Sequence, residues 1–477
     1  MYGKQFIQIV LVLILFFIFV DKLTANENVN DTTQVVTSDI SEEGEFMHEL
    51  PPVYMVAPFI VLLLMIATGP LFYHHFWERN YPKVAMVLGS ITVIYYLAVL
   101  NDSHSLLHSL AEYFSFIALL GSLFVASGGI LLRVNRKATP FVNVLFLLFG
   151  SIIANVIGTT GASMLLIRPF IKMNQNRIKP YHIIFFIFMV SNIGGALTPI
   201  GDPPLFLGFL RGVPFFWVLA NVWYIWIPTL LVLLAVFYLF DSFNKGNASS
   251  DTEEFTGKIE FKGAKNLIFL TIIILSVFID PAVLSWVPSL SPLPFGIREI
   301  IMLAVIYFSY KKADQEILKA NEFDFEPIKE VAYLFIGIFM TMIPALQLIA
   351  HEANVLSDKL TAGVFYWATG SLSGFLDNAP TYLNFLSAAM GKYLLDVNLK
   401  SDVVEFVMQD DIYLRAISVA AVFFGAMTYI GNGPNFMVKS ICERAGIKMP
   451  SFFTYMIKYS IPILIPIFLV VWLIFFR

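Results

Sequence analysis

The chain has 477 residues, of which 58% are hydrophobic and only 13% are charged. A water-soluble globular protein has a different balance, and several apolar runs here exceed the roughly 18 residues that can span a bilayer. The composition therefore predicts an all-α polytopic membrane protein and excludes water-soluble enzymes. The single cysteine, Cys442, excludes an intrachain disulfide and a cysteine-based metal site.

The N-terminal region has the pattern of a targeting segment. Residues 1–25 contain Lys4, an apolar run over 6–20 and a short polar end, which together predict a signal peptide. The alternative is an uncleaved first membrane helix. Residues 26–55 are acidic and rich in Asn, Thr and Ser, so we expect a flexible extracytoplasmic tail.

The positions of Lys and Arg predict how the following helices are oriented, because cytoplasmic loops are enriched in both. The mixed-charge loop 241–265 is interpreted as a cytoplasmic linker between a first membrane half, 56–240, and a second, 266–477. About ten spans are expected, in addition to two hairpins. The uninterrupted spans are predicted at 56–73, 84–100, 112–132, 216–240, 266–287, 298–310, 330–350 and 455–475.

One apolar region is interrupted in a way that no ordinary buried helix would be. Residues 195–204, with the sequence GALTPIGDPP, hold three prolines, two glycines and one aspartate. Proline and glycine break helices, so the segment 181–210 is predicted to be a broken helix. Irregular backbone at membrane depth is tolerated where it is buried in protein or lines a cavity, and in transporters it marks the binding site.

The interrupted stretch has a counterpart later in the chain. Residues 425–436, GAMTYIGNGPNF, repeat its Gly, Ala, Thr, Ile-Gly and Pro, which places Asn432 opposite Asp202 and predicts a second broken helix at 412–437. A second pair of similar segments begins at Gly150 and at Gly370, and the offsets agree within about ten residues. We therefore predict inverted-topology repeats over 112–210 and 330–437.

Each repeat is also predicted to contain a re-entrant hairpin. Residues 140–167 are apolar but have basic residues at both ends, so both ends should be cytoplasmic. The alternative is a single span with an unusual basic external loop. The matching hairpin in the second repeat is 361–389, with Asp377 at its tip.

The tips and breaks bring together a limited set of polar side chains. Carboxylate, amide and hydroxyl oxygens are hard ligands that suit sodium, so they predict an ion site. Sodium itself is expected at Asp202, Asp377, Thr198 and Asn432. The whole candidate set is Asn155, Thr159, Thr160, Ser163, Asn192, Thr198, Asp202, Asp377, Asn378, Thr381, Thr428, Asn432 and Asn435. No catalytic residue and no cofactor are predicted.

Asp202 has two interpretations that the sequence leaves open. In the first, the carboxylate holds either sodium or a proton, which would produce exchange, since carboxylates buried in membranes are functional by default. In the second, it caps the half-helix that follows. Asp377 is interpreted in the same way, with a turn-forming Asp-Asn pair as its structural alternative. Arg211 is expected to extend to the membrane interface.

The motifs SNIGGALTPIGD at 191–202 and GFLDNAPT at 374–381 resemble those of NhaD-type sodium/proton antiporters. These belong to the ion transporter superfamily, which also contains arsenite, citrate and dicarboxylate carriers. The resemblance implies an inverted-repeat fold, commonly dimeric, with the ions surrounded by Thr159, Thr160, Thr198, Asp202, Asp377, Asn378, Thr428 and Asn432. The chain departs from that pattern at Pro203 and Pro204, where such antiporters often have hydroxyl residues.

These observations predict a secondary antiporter of the bacterial inner membrane that exports sodium (or lithium) in exchange for protons. Its partners would be sodium, protons, membrane lipid and a second copy of the chain, with no nucleic acid. The alternative is a carrier for a carboxylate such as citrate, or for arsenite, that holds negative charge at half-helix N-termini. A membrane-embedded enzyme or scaffold is disfavoured, because no paired nucleophile and base are evident.

Overall fold

The computed structural model describes residues 50–136, 138–244, 259–281, 284, 286–288, 290 and 295–477. The predicted signal peptide at 1–25 lies outside the described residues, as do most of the predicted tail and residues 245–258 of the predicted linker. The described chain is predominantly helical, as expected for an all-α membrane protein.

The helices of the first half are numbered in chain order. They are α1 (Ala57–Phe72), α2 (His74–Ala98), α3 (Ser103–Gly128), α4 (Pro140–Met173), α5 (Pro180–Met189), α6 (Pro203–Arg211) and α7 (Trp217–Ser242). Short 3-10 turns cover Val53–Val56 and Ile193–Gly195.

The second half contains more helices than the sequence predicts. They are α8 (Lys265–Val277), α9 (Ile297–Lys312), α10 (Gln315–Ala320), α11 (Glu326–Thr341), α12 (Ile343–Val355), α13 (Ala362–Ser373), α14 (Asn378–Gly391), α15 (Lys400–Gln409), α16 (Asp411–Phe424), α17 (Gly433–Arg444), α18 (Phe452–Tyr455) and α19 (Ile461–Phe475). Short 3-10 turns cover Ser357–Lys359 and Gly425–Met427, and a π-helical turn, Met456–Ser460, joins α18 to α19.

A small antiparallel ribbon accompanies the helices. Strand β1 (Leu131–Val134) pairs with β2 (Ile259–Lys262), with Leu131 opposite Lys262. The second strand lies in the predicted linker 241–265, so the end of that segment is attached to the residues that follow α3. The sequence analysis did not predict this ribbon.

Six described segments are long and apolar enough to cross a membrane, which confirms the polytopic class. They are Val53–Phe72, His74–Ala98, Ser103–Gly128, Pro140–Met173, Trp217–Ser242 and Phe452–Phe475. Pro140–Met173 meets the criterion by length and composition only, because its chain reverses at Gly158. The pair α11 and α12, bent by 46°, adds a further segment if it forms one span. Helix α2 begins at His74, ten residues before the predicted start of the span 84–100, because the polar residues from His74 to Arg79 are already helical.

The first predicted hairpin is present within α4. Gly158 adopts φ 78° and ψ 154°, which interrupts the helix and reverses the chain. In a continuous helix Asn143 and Asn174 would lie roughly 46 Å apart at the usual rise of ~1.5 Å per residue. Instead their side-chain amides exchange hydrogen bonds of 2.8 and 2.9 Å. Phe146 stacks on Phe170 with ring centroids 5.5 Å apart, so the two limbs pack along their length.

The second hairpin is formed by α13 and α14, with its tip at residues 374–377. Near its open end, the Lys392 ammonium donates to the Leu360 carbonyl at 3.2 Å. The rings of Phe365 and Phe385 lie 6.4 Å apart, one on each limb. The predicted tip residue Asp377 therefore lies where the sequence placed it.

The two predicted broken helices are present and have matching local geometry. In the first break the Thr198 hydroxyl accepts the Gly201 N–H at 3.0 Å, and in the second the Thr428 hydroxyl accepts the Gly431 N–H at 3.1 Å. These positions match in the two repeat motifs, which supports the predicted duplication. The orientation of the repeats relative to a membrane and their exact bounds stay predictions.

Replacing Gly158 with alanine is expected to destabilise the protein by about 1–2 kcal/mol, because L-residues are strained at positive φ. The added Cβ would also lie 3.2 Å from the Ile200 carbonyl oxygen. The midpoint of thermal unfolding in detergent measures the effect. Gly89→Ala is the control, since its new Cβ would approach Met340 no closer than 3.5 Å. Equal midpoints for the two variants would contradict the assigned hairpin tip.

Candidate functional site

The Asp202 carboxylate lies at the point where the hairpin tips and the broken helices meet. Its Oδ1 accepts hydrogen bonds from the Thr159 hydroxyl and the Asn432 side-chain amide, both at 2.8 Å. Its Oδ2 accepts from the Asn378 side-chain amide at 2.6 Å. Thr159 belongs to the first hairpin, Asn378 to the second and Asn432 to the second break, so one carboxylate is bound by all three.

Helix N-termini surround this carboxylate. Asp202 and Asn432 directly precede the half-helices α6 and α17, Asn378 is the first residue of α14, and Thr159 begins the second limb of α4. The N-terminus of a helix carries a partial positive charge. Four such ends therefore favour negative charge at the centre of the molecule.

The site holds a buried acidic side chain without a basic partner. Asp202 is 1% exposed. Among the described residues, no Lys, Arg or His lies within ion-pair distance of it. A carboxylate that is buried without a counter-ion tends either to take up a proton or to bind a cation. The local chemistry is therefore suited to proton or cation binding.

Two further side-chain oxygens at the site can still accept a hydrogen bond or bind a cation. The side-chain oxygens of Asn192 and Asn378 are buried, and neither has a hydrogen-bond partner within the described part of the chain. Both amide groups lie against Gly425, where an added Cβ would meet the Asn192 oxygen at 2.9 Å and the Asn378 nitrogen at 3.4 Å. Amide oxygens are hard ligands, so these two complement the carboxylate as candidate cation ligands.

The two repeats are also joined directly at this level. The Asn192 amide donates to the Asn435 oxygen at 2.6 Å and to the Ile187 carbonyl at 2.8 Å. In turn the Asn435 amide donates to the carbonyls of Gly425 and Thr428, both at 2.8 Å. These buried amides hold the two broken segments against each other.

Several predicted ion ligands instead hold the backbone of the breaks. The Thr198 hydroxyl donates to the Asn155 carbonyl at 2.6 Å, and the Asn155 side chain bonds the Gly194 carbonyl at 2.6 Å and the Leu197 N–H at 2.8 Å. The hydroxyl of Thr428 accepts backbone N–H groups of its own break. Thr198, Asn155 and Thr428 thus shape the loops around the site, and their hydroxyl and amide groups are used in doing so.

The remaining candidates have other contacts. Thr160 lines a small cavity beside Thr159. Ser163 shares a hydrogen bond of 2.7 Å with Ser191, and Thr381 donates to the Asp377 carbonyl at 2.9 Å. Of the four predicted sodium ligands, the structure brings Asp202 and Asn432 into contact, whereas the polar groups of Thr198 and Asp377 are engaged locally.

The structure also separates the two interpretations of the aspartates. Asp202 occupies the N-cap position of α6, yet its side chain makes no capping hydrogen bond, because it points to the donors from the other elements. The Asp377 carboxylate does cap its helix, accepting the Ala379 N–H at 3.0 Å. The side chain of Asp377 therefore caps a helix, whereas that of Asp202 does not.

A family comparison adds to this geometry. The family model described as "Putative citrate transport" matches residues 47–476. The chain belongs to this family. It is therefore an integral membrane protein of a transporter family, which agrees with the predicted superfamily. The assignment to the NhaD type and the predicted homodimer stay predictions. No curated protein is significantly similar to the chain.

The buried ionic clusters that were not predicted include two that contact elements of the site. In the first, Arg211 is 3% exposed and pairs with Glu112 of α3, so the prediction that Arg211 extends to the interface is wrong. The Arg211 guanidinium donates to Glu112 at 2.6 Å. The two residues lie 99 positions apart, and nothing in the local sequence pairs them.

The second cluster centres on Asp241, the fully buried acid near the end of α7. Its oxygens accept from Arg177 at 2.9 Å, from Tyr181 at 2.7 Å and from Asn143 at 2.9 Å. The ring of His182 lies 3.0 Å away through Nε2. This cluster joins the open end of the first hairpin to α5 and α7, and so fixes the hairpin that carries Thr159.

Asp241→Asn is expected to destabilise the protein by about 3 kcal/mol or more, because it leaves the largely buried Arg177 guanidinium without its counter-ion. Thermal unfolding in detergent provides the measurement. The matched control is Glu260→Gln, which removes a carboxylate from a solvent-exposed pair with Arg133 and should leave the midpoint unchanged. A similar midpoint for both variants would exclude a structural role for the Asp241 cluster.

Proposed function

We propose that this membrane protein is a secondary antiporter that exchanges sodium for protons at Asp202, in a bacterial inner membrane. The observation that carries the proposal is a carboxylate that is 1% exposed, is held by three neutral donors and has no basic partner among the described residues. Either sodium or a proton would neutralise such a buried carboxylate, and only one of the two can be bound at a time. Competition for one carboxylate is sufficient for exchange.

In this proposal the ionised Asp202 binds sodium together with amide oxygens of Asn378 and Asn192. Both oxygens are buried and unpartnered among the described residues, so coordination would satisfy them. A proton on Asp202 removes the negative charge that attracts the cation. Because the donors to Asp202 come from both hairpins and from the second break, a change of occupant alters contacts between the two halves.

A second candidate is transport of a carboxylate such as citrate, and the family description favours it. Four helix N-termini around one point form a setting in which anions bind. Asp202 would repel an anionic substrate there unless a proton or a cation neutralised it. Carboxylate transport through this centre would therefore require a co-bound cation, so the two candidates share Asp202.

Purified protein in proteoliposomes distinguishes the two candidates. We expect sodium to dissipate a preset pH gradient with the wild-type protein, and Asp202→Asn to abolish that response while still inserting into the membrane. Asp377→Asn should retain much of the response, since its carboxylate is used in capping. The control is Asp324→Asn, an exposed aspartate between α10 and α11.

Two outcomes of this assay would contradict the antiport proposal. Unchanged sodium-dependent proton movement in Asp202→Asn would refute the proposed site. Uptake of labelled citrate without any sodium-dependent pH change would favour the carboxylate candidate and refute antiport.

Sodium binding alone can be measured by thermal stability. A ligand at about 100 times its Kd stabilises the folded state by ~2.7 kcal/mol. Sodium chloride should therefore raise the unfolding midpoint of the wild-type protein relative to the same concentration of choline chloride. In Asp202→Asn the two salts should give the same midpoint. An equal shift in both proteins would show that the stabilising ion binds elsewhere.

A further inference from the structure

The first turn of α2 carries three side chains of the kinds that bind metal ions. His74, His75 and Glu78 are exposed to solvent, and one ligand atom from each lies within 4.8 Å of those of the other two. His74 Nε2 and Glu78 Oε1 are 3.3 Å apart. The rings of His74 and His75 meet edge to face, with centroids 5.8 Å apart. In the described part of the chain, no other three His, Cys, Asp or Glu side chains are gathered so closely.

Helix geometry accounts for this convergence. Residues three and four positions apart are neighbours on the surface of a helix. His74 lies four positions before Glu78 and His75 lies three positions before it, and all three belong to α2. Both imidazoles are therefore neighbours of the same carboxylate, although adjacent residues of a helix do not otherwise face each other.

Contacts below this turn hold its backbone in place. The Trp77 side chain is 3% exposed and packs against Gly69 of α1, where an added Cβ would lie 2.6 Å from the indole ring. The Trp77 N–H donates to the Tyr73 carbonyl at 2.9 Å. The hydroxyls of Tyr73 and Thr68 share a hydrogen bond of 2.6 Å. Only exposed side chains would therefore have to reorient when a metal ion binds.

The donor set indicates which metals would fit. Mg²⁺ and Ca²⁺ take oxygen ligands, whereas imidazole nitrogen suits zinc, copper and nickel. Zinc binds nitrogen and carboxylate oxygen at roughly 2.0–2.2 Å in a tetrahedron, which places two ligands about 3.3–3.6 Å apart. The separation of His74 Nε2 and Glu78 Oε1 already has this value. Two imidazoles and one carboxylate supply three of the four ligands, and water can supply the fourth.

The charges around the turn leave the Glu78 carboxylate available to a cation. None of the described Lys and Arg side chains forms an ion pair with Glu78, including Arg79 beside it. Glu330 of α11 has both Glu78 and Glu326 as electrostatic neighbours. Lys329 is paired with Glu326 at 2.8 Å. A divalent ion at this turn would therefore bind Glu78 without displacing a basic partner, and Glu330 would add attraction.

We propose that His74, His75 and Glu78 form a binding site for a divalent transition-metal ion, with Zn²⁺ as the ion that fits the ligands and their spacing. The site lies between the predicted spans 56–73 and 84–100, and no residue that contacts Asp202 takes part in it. A bound ion would link three side chains of the first turn of α2. The proposal is independent of whether the protein exchanges sodium for protons or carries a carboxylate.

Titration with Zn²⁺ by calorimetry tests the site, using the full-length protein purified in detergent without a histidine tag. We expect one zinc ion per chain. His75→Gln and Glu78→Gln should each weaken binding at least about tenfold, because even the loss of an outer partner of a metal ligand costs about 10–100-fold. The matched control is His351→Gln, at an exposed histidine of α12 outside the cluster, which should bind zinc as the wild type does.

Co²⁺ provides a second measurement, because its visible absorption is strong in four-coordinate sites and weak in six-coordinate ones. With the wild-type protein we expect the spectrum of a four-coordinate ion, as three protein ligands and one water would produce. His74→Gln should lose this spectrum, and His351→Gln should keep it. The substituted side chains are all exposed, so folding should be unchanged in each variant.

Either of two results would overturn the proposal. The first is a dissociation constant for Zn²⁺ weaker than about 1 mM in the wild-type protein, which corresponds to only about 4 kcal/mol of binding free energy. The second is zinc binding that His75→Gln and Glu78→Gln leave unchanged, which would show an adventitious ion only. Sodium-dependent proton movement is measured without zinc, so failure of the antiport proposal and failure of this one give different results.

Discussion

The burial of the Asp202 carboxyl group is the constraint on which the arrangement of the core around it depends. Removing a carboxylate from water costs several kcal/mol unless other groups replace the lost hydration. Here the replacement comes from three neutral donors and from helix ends, and no basic side chain is used among the described residues. A hairpin tip or a helix break places a hydrogen-bond donor and a helix N-terminus at the same point. Interrupted helices can therefore surround the buried carboxyl group in a way that continuous helices cannot.

Internal duplication accounts for how these groups come together. Asp202 and Asn432 occupy matching positions and share an extended backbone, with φ and ψ of -142° and 143° and of -155° and 140°. They contact each other directly, the amide donating to the carboxylate at 2.8 Å. An aspartate at both positions would place two carboxylates side by side, which is unfavourable. The acid–amide pair therefore leaves one charge that can be neutralised by one ion or one proton.

The sequence predicts the breaks and hairpin tips, because glycine and proline interrupt a helix and polar residues are costly in apolar surroundings. It does not predict the partners of individual side chains. Thr198 and Thr428 resemble ion ligands in the sequence, but the irregular backbone of each break needs hydrogen bonds that these hydroxyls supply. Arg211 and Asp241 have the pattern of helix-end charges at a membrane surface, yet both turn inward. Glu112 lies 99 positions from Arg211, and Tyr181, Arg177 and Asn143 lie 60, 64 and 98 positions from Asp241. Local sequence patterns carry no information over such separations.

Helix α6 connects the two centres mechanically. Asp202 immediately precedes it and Arg211 ends it, so the two charged groups lie at opposite ends of a nine-residue helix. Nine residues rise about 13 Å, short enough for the helix to move as a rigid unit. Any displacement of α6 that alters the contacts of Asp202 must therefore also alter those between Arg211, Glu112 and Asn398. An occupant that changes the contacts of Asp202 would therefore act, through the same short helix, on the buried ion pair between Arg211 and Glu112.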